Sequence, residues 1–69
     1  MYRVIVYNEK TSRGTVIRKF YDIVDAYDFA ADLYETVTGK KGYYELDPSF
    51  GFEIEETNTV IFVSKEINK

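Results

Sequence analysis

Four carboxylates, Asp25, Asp28, Asp32 and Glu35, follow one another at intervals of three and four residues, and no Lys or Arg stands three or four positions from any of them. On a helix they fall within an arc of about 80° and climb roughly 15 Å along the axis. Charged helix surfaces are commonly laced by opposite charges at these spacings, whereas Asp28 and Asp32 repel each other. Helical spacing does not wrap oxygens around a hard cation, so a metal site is not expected here. What the stripe offers is electrostatic: a negative face for a basic partner surface, including one that otherwise holds nucleic-acid phosphates. Phe29 borders the stripe and supplies an apolar anchor for such a contact. The plain alternative is a solvated helix face that happens to be acidic.

A second constellation has the opposite sign. Arg3, Lys10, Arg13, Arg18 and Lys19 stand against a single acid, Glu9, within residues 1–19, a balance of +4. Residues 20–39 hold five acids and no base, −5, and the remainder of the chain contributes −2 to the net charge of −3. The five bases lie near Tyr2, Tyr7 and Tyr21, a mixture of charge and stacking rings that suits nucleic acid. Tyr2 to Tyr7, Val16 to Phe20 and Ala26 to Leu33, a hairpin followed by a helix, are similar to the arm-binding N-terminal domains of tyrosine recombinases. The similarity covers about half of the chain and implies DNA binding through the hairpin. The acidic helix and the strands that follow it depart from that pattern, and an acidic helix beside the hairpin would repel phosphate.

Catalytic combinations are scarce. The chain has no His and no Cys, which removes the commonest general base, a thiol nucleophile and the usual zinc and haem ligands. Ser12, Ser49 and Ser64 have no His to activate them, and Glu53, Glu55 and Glu56 define no pocket. Gly39-Lys40-Lys41-Gly42 lacks the Ser or Thr of a phosphate loop and follows a helix instead of preceding one. The expectation is a non-enzymatic chain without cofactor or metal.

The elements that position these residues follow from periodicity. A chain of 69 residues forms a single domain, residues 1–69, and 45% hydrophobic and 17% aromatic content argue for a packed core. Residues 2–7 are β-branched and aromatic, as in a strand covered on both faces. Asn8 to Thr15 reads as a turn, with Gly14 free to take positive φ. Residues 16–21 resume strand character, with Val16, Arg18 and Phe20 on one face and Ile17, Lys19 and Tyr21 on the other.

Asp22 then changes the period. Ile23, Ala26, Tyr27, Ala30, Leu33, Tyr34 and Val37 mark one helix face over 22–38, with Asp22 as N-cap and Gly39 at the C-terminal end. Tyr27 and Tyr34 belong to the core, their hydroxyls reaching the rim, and one of Tyr43 and Tyr44 faces outward beside the lysines. Tyr43 to Asp47 reads as a short strand closed by Asp47-Pro48-Ser49. Phe50 to Glu55 alternates as a further strand, and residues 56–58 turn. Thr59 to Lys65 is a last strand, and Ile67 to Lys69 should fray.

The order is β-β-α-β-β-β, an α+β two-layer domain with one amphipathic helix packed on an antiparallel sheet. The sheet face away from the helix would carry some of Ile5, Tyr7, Ile17, Tyr21, Ile61 and Val63, a large apolar surface that a partner protein or a second copy would cover. No apolar run is long enough to span a bilayer. Met1-Tyr2-Arg3 runs directly into strand pattern without signal-peptide architecture, and the chain lacks cysteine, so a cytoplasmic protein is expected.

The leading expectation is a protein-binding module, a small regulator or inhibitor of the kind phages and mobile elements make. It would use Asp25, Asp28, Phe29, Asp32 and Glu35 against a basic partner surface. The alternatives are nucleic-acid binding through Arg3, Lys10, Arg13, Arg18 and Lys19, and a self-associating structural subunit using the exposed sheet face.

Overall fold

The computed structural model describes residues 1–67 and shows two layers, one helix packed on a four-stranded antiparallel sheet. Residues 68 and 69, part of the expected fraying end, lie outside the described residues. In chain order the elements are β1 (Tyr2–Asn8), β2 (Arg13–Phe20), α1 (Ile23–Thr38), β3 (Gly51–Ile54), a single 3-10 turn (Glu55–Thr57) and β4 (Thr59–Lys65). The strands lie in the order β2-β1-β4-β3, so the β-branched β1 and β4 occupy the centre and β2 and β3 the edges.

The N-terminal hairpin closes through Asn8, whose side-chain oxygen accepts from the backbone N–H of Lys10 and Thr11 at 2.9 and 3.1 Å. Its left-handed residue is Ser12, at φ 55°, and not Gly14. Gly14 instead lies in β2 opposite Tyr7, where a Cβ would sit 3.3 Å from Ile5 Cγ2. The missing side chain makes room for its neighbours.

A β-bulge corrects the expected facing of β2. Ile5 pairs with Val16 and Val4 with Arg18, so Ile17 is an extra residue. Arg18 and Phe20 share the helix side of the sheet with Val4 and Tyr2, while Val16 is carried to the other side with Ile5. Alternation alone could not place all three.

Asp22 caps α1 by accepting from Val24 N–H at 2.8 Å, and Gly39 ends it in the left-handed region, φ 71°, donating to the Glu35 carbonyl. The core consists of Val4, Ala26, Tyr27, Ala30, Ala31, Phe52, Ile54, Ile61 and Val63. Alanines at 26, 30 and 31 let the helix backbone approach the sheet, and Ile23, Leu33 and Tyr34 close the edges of the contact. Val37, expected on the buried stripe, is 55% exposed and does not pack against the core.

The expected strand over Tyr43–Asp47 is irregular backbone. Tyr44 turns toward α1, its ring stacking on Tyr27 with centroids 5.1 Å apart and its hydroxyl donating to Asp28 at 2.6 Å, while Tyr43 faces outward. Contacts with the helix have replaced a strand ladder. The turn at residues 47–49 forms as expected, with Ser49 N–H and Oγ both donating to the Asp47 carboxylate. The sheet therefore has one strand fewer than the sequence pattern suggests.

Candidate functional site

The acidic stripe is divided by its surroundings. Asp25 and Asp32 are exposed on the helix side opposite the core. Asp28 and Glu35 lie toward the flank where residues 40–50 cross the helix, and both are used there. Asp28 accepts from Tyr44 as described, and Glu35 Oε2 accepts from the Gly42 backbone N–H at 3.0 Å. Gly42 sits tightly, since a Cβ there would lie 3.2 Å from the Ala31 carbonyl oxygen. Two of the four carboxylates thus act as hooks for the connection into β3.

The same clamp leaves marks on the neighbouring tyrosines. The hydrogen bond to Asp28, followed by burial, raises the Tyr44 pKa above its ordinary value. Burial raises that of Tyr27, reinforced by the charge of Asp47, whose carbonyl oxygen accepts from the Tyr27 hydroxyl at 3.0 Å. Asp47 itself is held below the usual carboxylate range by the two hydrogen bonds from Ser49.

Phe29 lies on the opposite helix flank. Its ring centroid is 5.4 Å from that of Phe20, and the Arg18 guanidinium covers both rings at 5.6 and 5.1 Å. Phe29 is half-buried in this contact. It secures the helix to β2, and the acidic face proper consists of Asp25 and Asp32.

The five bases are not assembled into one surface. Arg18 stacks on the helix side, and Lys10 and Arg13 sit at the hairpin end. Arg3 faces away from the helix and donates to Ser64 Oγ at 3.4 Å, with its Nε buried and unpartnered. Lys19 is paired with Glu66 at 2.7 Å. That hydrogen bond, together with the amino terminus and Arg3, holds the Glu66 carboxyl below its ordinary value.

The helix-free sheet face brings together residues that sequence reasoning only partly found. Cross-strand partners share a face, and Val4 lies buried beneath the helix, so Ile5 and Tyr7 point the other way. Val16, Ile5 and Phe62 form one row across three strands, and Tyr7 and Val60 form the next. Ile61 and Val63, expected as candidates for this face, lie under the helix at 1% and 7% exposure. Tyr21 belongs to neither face of the sheet, in the exposed turn before α1. Residues 60–63 of β4 are all apolar, two in each register, which left the facing of the strand open until its pairing was known.

Glycines border this face on both edge strands, Gly14 beside Ile5 and Tyr7, and Gly51 beneath Val60 Cγ1, where a Cβ would come within 2.8 Å. Large side chains of β1 and β4 lean over them, which leaves Ile5, Tyr7, Val60 and Phe62 half-buried.

Among the described residues no group of three or more His, Cys, Asp or Glu is placed to hold a metal ion. No described helix is long and apolar enough to cross a membrane. No protein-family model, no curated protein and no solved structure matches this chain.

Proposed function

We propose that the chain is a cytoplasmic, non-enzymatic protein-binding module, and that its helix-free sheet face is the principal contact surface. The observation that carries this reading is the pair of apolar rows, Val16–Ile5–Phe62 and Tyr7–Val60, which no element among the described residues covers. Apolar area removed from water supplies most of the free energy of association, at about 25 cal/mol per Å² before the costs of binding. Arg3 and Glu53, at opposite ends of the face, would give a polar rim. The scattered and internally engaged bases favour a protein partner over nucleic acid.

A second reading keeps the acidic helix as the docking surface, in the manner of an inhibitor or nucleic-acid mimic. Its support is that Asp25 and Asp32 are exposed and make no ion pair among the described residues. The two readings separate in one experiment. Affinity capture from nuclease-treated lysate compares the native chain with Ile5→Lys/Phe62→Glu and with Asp25→Asn/Asp28→Asn/Asp32→Asn/Glu35→Gln. The sheet reading expects loss of the captured protein only in the first variant. Loss only in the second moves the site to the helix, and unchanged retention in both overturns both readings. Light scattering over a dilution series identifies the case in which the partner is a second copy.

A further inference from the structure

The helix-free face carries opposite charges at opposite corners. Lys19, Arg3 and Ser64 are cross-strand partners in one row, and Gly14, Tyr7, Val60 and Glu53 are partners in another. Between them runs the row Val16–Ile5–Phe62–Gly51. The bases therefore hold the corner on β2 and β1, and Glu53 holds the diagonal corner on β3. Lys19 is spent on Glu66 at 2.7 Å, whereas Arg3 makes no ion pair among the described residues and its buried Nε has no hydrogen-bond partner. Glu53 is exposed and is likewise in no ion pair among the described residues.

This pattern is complementary to itself. From Lys19 to Glu53 is three strand spacings across the sheet, about 14 Å, and four residues along it, about 13 Å. The two legs are nearly equal, so the diagonal runs at about 45° to the strands. A two-fold axis lying in the plane of the face, at right angles to that diagonal, turns a second copy over onto the first with acidic corner on basic corner. The strands of the two copies then cross at about 90°, one of the two ordinary arrangements of packed sheets.

The axis passes between Ile5 and Phe62, at the centre of the face, and these residues meet their own counterparts there. Arg3 comes to lie beside Glu53 of the second copy and above its Gly51, where there is no side chain to obstruct the guanidinium. Val16, 43% exposed at the β2 edge, falls beneath Tyr7 and Val60 of the second copy.

We infer that the occupant of the helix-free face is a second copy of this chain, related by that two-fold and joined by two Arg3–Glu53 pairs across an apolar centre. This rests on the reading of the face as the contact surface. A two-fold contact uses the same patch on both subunits, so the patch must match itself in charge as well as in shape. At ordinary strand spacing the face measures about 400 Å² per copy and about 800 Å² for the pair, which makes the dimer transient and concentration-dependent.

Sedimentation equilibrium of the full chain, from micromolar concentration to about 1 mM, should show the mass rising toward that of a dimer. Arg3→Glu and Glu53→Arg, each alone, should weaken self-association about tenfold, because each sets like charges together at both ends of the contact. An equimolar mixture of the two variants should recover it as the heterodimer, in which both ends are again opposite in charge. Should Arg3→Glu lose the native amide NMR spectrum, Lys19→Glu, an exposed change over the same Glu53, takes its place in the mixture. Ile5→Lys/Phe62→Glu should leave the chain monomeric.

The inference is overturned if the native chain stays monomeric throughout, if the mixture shows no recovery, or if Ile5→Lys/Phe62→Glu dimerises like the native chain. Its failure is distinct from failure of the contact surface. A monomeric chain whose capture of another protein is lost in Ile5→Lys/Phe62→Glu keeps the face and removes the second copy.

Discussion

The two faces of this sheet are built from nearly the same residue types and have opposite fates. Beneath α1, Val4, Phe52, Ile54, Ile61 and Val63 are buried. On the other side Ile5, Tyr7, Val60 and Phe62 are half-buried and Val16 is exposed. The difference is a cover. One amphipathic helix can close one face, and three alanines at its centre bring it close enough to exclude water there. On the uncovered side the chain does what it can locally, laying large side chains over Gly14 and Gly51.

Neighbouring residues of β4 measure that comparison most directly. Ile61→Ala should destabilise the fold by about 3 kcal/mol, because it opens a cavity in a fully covered site. Phe62→Ala should cost only about 1 kcal/mol in the isolated chain, since its ring is partly solvated already. Urea unfolding at low protein concentration gives both values. Equal losses would break the comparison and mean that the second face is covered in solution.

A smaller effect sharpens the role of the glycine borders. Gly51→Ala should cost about 1–2 kcal/mol, since the added methyl meets Val60 Cγ1 on a sheet that has little room to shift. Gly14→Ala should cost less, its nearest neighbour being the 3.3 Å contact with Ile5 Cγ2. The reverse order would show that the β2 edge, and not the β3 edge, is the tighter border.

The smallest effect lies in the pH dependence. Tyr27 and Tyr44 have pKa values raised in the fold, so their contribution is complete below the ordinary tyrosine value of 10.0 and is lost as pH rises through the folded values. Asp47 and Glu66 are lowered from 3.8 and 4.5, so their contribution is complete above those values and is lost as pH falls through the folded ones. Thermal melts should therefore show a plateau with both an acid and an alkaline fall. Tyr44→Phe should soften the alkaline arm and leave the acid arm unchanged. An unaltered alkaline arm would disprove the Tyr44–Asp28 clamp.

The helix was the most legible element: Asp22 as cap, the stripe from Ile23 to Tyr34 and the Gly39 stop all follow from local chemistry and a period of 3.6. Strand regions were legible as well, except at Tyr43–Asp47, where alternation resembled a strand but aromatic stacking on Tyr27 and the bond to Asp28 won. Of the candidate site, the uncompensated acids were readable. That Asp28 and Glu35 hold the connection, and that Phe29 lies under Arg18, was not, because each depends on a segment distant in sequence.

Composition and periodicity by themselves determined the α+β class, the single helix and its capping, and the segregation of charge, all of which depend on residues within a turn or two of one another. Only the tertiary structure decided which face of each strand is covered and which charges are spent internally. Those outcomes turn on register, and a bulge of one residue at Ile17 moves the side chains beyond it to the other face.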